Sequence, residues 1–333
     1  MKGKVRTGPE TDARGITRRE FLRGAAGAAV TAGFVGLGTG LDIEEVLAAA
    51  GKTPKSRVVV VTHKKVLLEG WQADPKVVQA MIDEGMKRLT GGKTALLAWK
   101  KIVKPDDLVS MKPNPVGGVN LKTHQEVVDA CVNGARLAGA KEDHVIVWGN
   151  SQRVPEAYKG WSDVYEFPNG KKTRIGNILD KHTTCFINLP VVKAHWGTGY
   201  TCALKNHFGT NDNPSELHDW ESATAPMWEN VAYLNNIPAI KRCTKLVIAD
   251  ATRPLYSDGP GDKPAYRWDY YALILGKDPV AVDRIGLDIL DDKRKAEGMS
   301  PLTWGRQSLE KAAEIGVGNY DLSKIDLLRV NLG

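Results

Sequence analysis

The unbroken β-branched run Val58-Val59-Val60-Val61-Thr62 constrains the fold more than any other stretch. A strand with one wet face alternates polar and apolar residues; one without alternation is buried on both faces, which requires cover above and below it. Comparable apolar runs recur at 106–111, 145–148, 184–189, 246–249, 270–275 and 325–330. Helical patterns separate them. Pro75 to Leu89 has Pro in the first turn. A short helix is predicted over 94–102. Another is predicted from Thr123 to Leu137, with Thr123 and Glu126 spaced as a capping box. Asp278-Pro279 opens a further helix to about Leu290, and 309–315 is helical. Residues 206–219 are polar and read as a loop. The alternation predicts an α/β fold: a mostly parallel central sheet with helices on both faces.

Ahead of this pattern, Thr17-Arg18-Arg19-Glu20-Phe21-Leu22-Arg23 precedes a Gly- and Ala-rich run over 24–41, then Ala48-Ala49-Ala50. Paired arginines before a weakly apolar segment resemble a twin-arginine export signal. The run is too rich in Gly and Ala for a good membrane-spanning helix. Residues 1–50 are therefore read as a signal segment whose partner is the twin-arginine translocation machinery. Residues 51–333 are read as a single α/β domain, periplasmic or extracellular, with no stable membrane span after cleavage. That route carries folded proteins, which suits a cofactor or metal inserted beforehand.

The net charge of +7 is interspersed rather than clustered. A nucleic-acid surface needs a basic stripe, so that class is excluded, whereas a mild positive field favours small anions. Cys131, Cys185, Cys202 and Cys243 form no C-x-x-C pair. No iron–sulfur cluster or Cys-rich zinc site is expected, and each cysteine reads as a buried thiol.

Three constellations carry chemistry. Lys112-Pro113-Asn114-Pro115 follows a strand, and in open α/β sheets ligands bind beyond strand carboxyl ends. Lys112 and Asn114 thus become anion-binding candidates. The block from Asn188 to Gly209 is denser, with Lys193, His195, Lys205, Asn206 and His207 among glycines. Lysine supplies a point charge for an anion, and histidine an acid, a base or a metal ligand. Third, Asp250 ends a strand, while Asp258 and Asp262 flank a Gly-rich turn. With His195, His207 or His218 they can complete an N/O site for a divalent or transition metal; turn chemistry accounts for the same two aspartates. Asp283, one turn inside its helix, needs a partner such as Lys or Arg if buried. Trp196, Tyr200, Trp220, Trp228 and Tyr233 either wall the pocket or pack the core.

Three of these segments together resemble the domain-of-unknown-function family number 362: Lys112-Pro113-Asn114, the block Asn188–Gly209, and Asp278-Pro279-Val280-Ala281-Val282-Asp283. Lys193, His195, Lys205, Asn206, Gly209, Asp278 and Asp283 fall on the family's pattern. Val191 and Ala194 stand where the pattern has Lys and Thr. The resemblance implies no settled reaction. Some members carry a ferredoxin-like segment, for which this chain lacks the cysteines.

Two function classes follow. In the first, an exported enzyme binds a small anionic substrate through Lys112, Asn114, Lys193, Lys205 and Asn206. His195 is its acid or base, tuned by Asp250. A nickel or iron redox role is a variant of this reading. In the second, the protein is a non-catalytic carrier of a metal or cofactor, with His207, Asp258 and Asp262 as ligands.

Overall fold

Strand β1 (Ser56–Thr62) behaves as its composition demands. Val58 and Val60 enter one core, Val59 and Val61 another, and all are at most 1% exposed. The computed structural model describes residues 55–218 and 226–333; the export-signal expectation and Trp220 lie outside them. Ser56–Gly333 forms one compact unit.

The remaining strands are β2 (Val109–Pro113), β3 (Val145–Val147), β4 (Tyr165–Glu166), β5 (Lys172–Thr173), β6 (Cys185–Leu189), β7 (Val191–His195), β8 (Gly199–Thr201), β9 (Thr244–Leu255), β10 (Ala272–Gly276) and β11 (Ile325–Asn331). The main sheet has nine strands, in the order β11-β1-β10-β9-β6-β2-β3, with β7 beside β9 and β8 beside β7. Pairing is parallel except where β10 meets β1 and β9, and where β8 meets β7. Strands β4 and β5 form a separate pair.

The helices used below are α1 (Pro75–Thr90), α2 (Gln125–Ala138), α3 (Ala203–Asn206), α4 (Met227–Asn235), α5 (Pro279–Ala296) and α6 (Thr303–Glu314). Helices α1 and α2 cover one face, packing Val78, Met81, Ile82, Val127 and Cys131 against Val59, Ile187 and Ile248. Helices α4, α5 and α6 cover the other, packing Val231, Val282, Ile285 and Leu309 against Val60, Phe186 and Ala249. The predicted α/β sheet, mostly parallel and covered on both sides, is therefore the observed fold. Asp278 opens α5 as expected, accepting from the backbone N–H groups of Val280 and Ala281.

Two local expectations are corrected. Helix α2 starts at Gln125, and its preceding residue His124 makes no side-chain cap bond. The Thr123 hydroxyl instead donates to Leu189 O at 2.7 Å and accepts from the Asn114 N–H at 2.8 Å. A bond that ties two strand ends together displaces the capping box. The polar stretch 206–218 is not a loop throughout but short helical turns, largely buried as far as Asn211 and mostly partly or fully exposed beyond it. Its polar atoms find internal partners, as when the Thr210 hydroxyl donates to His207 O at 2.7 Å. All four cysteines are buried free thiols. No helix among the described residues is long and apolar enough to cross a membrane.

Candidate functional site

Lys112 and Asn188 sit opposite each other on β2 and β6, near the carboxyl ends of both strands. Lys112 is 1% exposed and Asn188 fully buried. Strand β6 passes directly into β7, whose Lys193 lies across from Thr201 on β8. Helix α3 follows and brings Lys205 and Asn206 against the same rim.

Asn206 joins these parts. Its amide donates to Lys112 O at 3.0 Å and to Asn188 Oδ1 at 2.7 Å, and its Oδ1 accepts from Lys112 Nζ at 3.3 Å. Asn188 in turn donates to Ala203 O at 2.8 Å. Asp283, reaching from α5, accepts the N–H groups of Ala203 and Leu204 at 2.6 and 2.9 Å. The expected Lys or Arg partner of Asp283 is thus replaced by the two leading N–H groups of α3. Burial pushes its carboxyl up to about 7 against those backbone bonds.

A cavity of about 300 Å³ lies over this rim, and Lys112, Asn114, Lys193, His195, Lys205 and Asn206 all line it. Among the described residues, no carboxylate lines it. Lys193 Nζ donates to Asn114 Oδ1, Val116 O and Leu121 O. Lys205 Nζ lies 2.9 Å from His218 Nε2 and 3.7 Å from the centre of the Phe208 ring. Burial lowers all three amines. Lys112 falls to about 7, helped by Lys193; Lys193 also falls to about 7; Lys205 falls well below the ordinary lysine range, helped by Lys193 and Lys112.

The imidazoles are neutral, and their bonds define the tautomers. His218 Nδ1 donates to Pro214 O, so its Nε2 accepts from Lys205. His195 Nδ1 accepts from the N–H groups of Gly197 and Thr198 at 3.0 and 3.2 Å, which leaves the proton on Nε2. Burial, then Lys205, His218 and Lys193, pushes His195 down to about 2, and burial and Lys205 push His218 down to about 4. His195 therefore meets the cavity as a hydrogen-bond donor. Two further lining groups are unpartnered: both side-chain amide atoms of Asn211, and the Thr201 hydroxyl. Both residues are at least nine-tenths buried. Gly209 is required by close approach, because a Cβ there would meet Lys112 Cε and Nζ at 2.8 Å.

Residues 158–288 match the family described as Domain of unknown function (DUF362). No curated protein matches the chain. A solved protein from Thermotoga maritima is similar at 10% identity with a TM-score of 0.33; the alignment covers 74% of this chain and 61% of that one. The DUF362 match spans β7, α3 and the start of α5. Among the pattern residues inside it, Lys193, His195, Lys205, Asn206 and Gly209 line the cavity. Asp283 supports it from behind through α3, while Asp278 caps α5 and bonds to Ser56 and Asn319. Lys112 and Asn114 reach the same cavity from outside the matched segment.

Other expectations do not converge there. Asp250 does not pair with His195. Its carboxylate accepts from the His124 N–H at 3.0 Å, the Thr252 N–H at 3.1 Å and the Thr252 hydroxyl at 2.7 Å. Its Oδ2 also lies 2.7 Å from His124 Nδ1. Burial opposes charging both groups, yet their mutual attraction raises His124 and lowers Asp250. The His124 ring stacks on Trp71 at 4.1 Å. Nor does Asp250 end its strand: it lies within β9, which runs on to Leu255, and His124, just ahead of α2, holds its carboxylate.

The metal triad is also corrected: among the described residues, no three His, Cys, Asp or Glu gather to hold an ion. His207 is buried against Phe186 at 5.1 Å with both ring nitrogens unpartnered. Asp258 is exposed in a turn at φ 55°, the left-handed region that Asp tolerates. Asp262 pairs with Arg267 at 2.9 Å and accepts from Asn120 at 3.2 Å. Trp196, Tyr200, Trp228 and Tyr233 do not line the cavity, whose aromatic wall is Phe208.

Thr201, Asn211 and the tautomer-setting partner of Lys205, His218, escape sequence reasoning as anion-site residues. Thr201 carries no local signal beyond lying inside the dense block, and Asn211 none beyond following it by two residues. The partner of Asp250, His124, is visible only as a histidine beside a predicted helix start.

Proposed function

We propose that the protein is an enzyme acting on a small, multiply charged anion of the phosphate or carboxylate type, held in the cavity over β2, β6 and β7. One observation carries this reading: Lys112, Lys193 and Lys205 are buried around one cavity that no acidic residue lines among the described residues. Buried charges are ordinarily paired. Here the counter-charge is assigned to the ligand. Asn114 and Asn206 orient the amines, and the Nε2–H of His195 and the side chains of Thr201 and Asn211 serve the ligand's uncharged oxygens.

Pyrophosphate is a suitable probe. Lys112 and Lys193 are lowered from 10.5 to about 7. Between those values the unfolded chain holds more protons than the folded one, so the free protein should gain stability as pH rises from about 7 to about 10.5. An anion restores the ammonium form, so binding near pH 8 should take up protons. Calorimetry in two buffers of different ionisation enthalpy reads that uptake. Absence of both binding heat and thermal shift with pyrophosphate and with citrate would remove the reading.

We also infer export by the twin-arginine route to the periplasm or the exterior, supported by residues 17–50 alone. Exchanging Arg18 and Arg19 for lysine should leave the full chain in the cytoplasm of its host. Unchanged export of that variant counts against the route.

A further inference from the structure

We propose that Lys112 is a nucleophilic amine, and that the natural substrate is an anionic aldehyde or ketone that condenses with it. The proposal rests on the anion-site reading and sharpens it to a carbonyl compound.

The three lysines differ in what holds their nitrogens. Lys193 has three carbonyl acceptors, enough for the three hydrogens of an ammonium. Lys205 donates to His218 and lies over an aromatic face, which also favours a cation. Lys112 Nζ has one long bond, 3.3 Å to Asn206 Oδ1. It is 1% exposed, so bulk solvent offers it little stabilisation as a cation. The titratable groups facing it are Lys193, Lys205 and His207, all basic. A nitrogen with too few acceptors and only basic neighbours is stable as a neutral amine, the form that attacks carbonyl carbon. Gly209 lets the Lys112 side chain pack directly against the backbone, where a Cβ would displace its Cε and Nζ.

The surrounding groups divide the work. Lys193 and Lys205 hold the anionic end. The carbonyl oxygen meets donors, the His195 Nε2–H and the unpartnered Thr201 and Asn211 side chains. The Lys112 nitrogen forms a C–N bond as the carbonyl π pair moves to oxygen. That oxygen then leaves as water with both amine protons, giving an imine. No oxidant or reductant enters the balance.

The test uses the full chain with pyridoxal phosphate, an aldehyde carrying a phosphate, followed by borohydride reduction and peptide mapping. At pH 7.5 an ordinary lysine is about one-thousandth amine. Lys112 should therefore be labelled about tenfold or more above any surface lysine, and also above Lys193 and Lys205, whose nitrogens are held by other groups; pyrophosphate should protect it. Lys112→Arg should lose that label while still binding pyrophosphate. Label confined to Lys193, Lys205 or surface lysines, or no label despite pyrophosphate binding, overturns the nucleophile and leaves the anion site standing. Failure to take up either compound overturns both.

Discussion

Lys205→Met should yield a protein that melts at a higher temperature than its parent and responds only weakly to pyrophosphate. The two effects have one origin. Lys205 is 8% exposed, and among the described residues the cavity offers it a neutral imidazole and a phenyl ring but no carboxylate. Taking an ammonium out of water without a counter-charge is costly, and exchanging buried charge for well-packed apolar groups often stabilises by about 1–4 kcal/mol. Methionine follows the lysine stem and fills irregular space. A hydrogen bond to a charged group is worth about 1.5–3 kcal/mol, so pyrophosphate affinity should fall roughly 10- to 150-fold. The pH dependence follows. With its folded value far below 10.5, Lys205 makes the parent less stable at pH 6 than at pH 10, and the variant's advantage should shrink as pH rises. Melting curves across that range, with and without pyrophosphate, check both parts. A variant that is less stable and binds normally would contradict the account.

Asp283→Ala carries the second large effect. Its carboxylate satisfies two buried N–H groups at the head of α3. Each orphaned buried donor costs about 1–3 kcal/mol, so the loss should be about 2–6 kcal/mol. Asp283→Asn keeps one acceptor and should lose roughly half as much. Because burial raises Asp283 from 3.8 to about 7, the folded protein holds the extra proton between those values. Stability from this group is therefore full below about 3.8 and declines towards about 7, so the alanine variant should be hurt more at pH 5 than at pH 8. Denaturant titration at the two pH values reads this. The variant should also bind pyrophosphate less well than its lost stability explains, since α3 carries Lys205 and Asn206. Unaltered binding by a folded alanine variant would confine Asp283 to stability.

Local patterns are legible where one residue's neighbours in sequence are also its partners. The valine run of β1 and the Asp278 cap of α5 are of this kind. The dense block from Asn188 to Gly209 marks the anion site because strand and helix turn back on themselves within it. Legibility ends where a side chain has several suitors. Asp250 could meet His195 or His124, and only the direction in which β9 delivers it decides. Thr123 has the spacing of a cap but is drawn to Leu189 and Asn114. Asp283 could take a lysine, and takes backbone instead. The unpartnered Thr201 and Asn211 cannot be read from sequence at all, because lacking a partner is a property of the assembled surroundings.

The pairing of β1 with β11 bears on when this protein can finish folding. Arg57 on β1 bonds to Asp326 on β11, 269 positions later, and the two strands run side by side along their length. Contacts of such separation close slowly. During synthesis, the β11-facing edge of β1 stays unpaired until residues 325–331 have been made, an interval in which it is open to pairing with other chains.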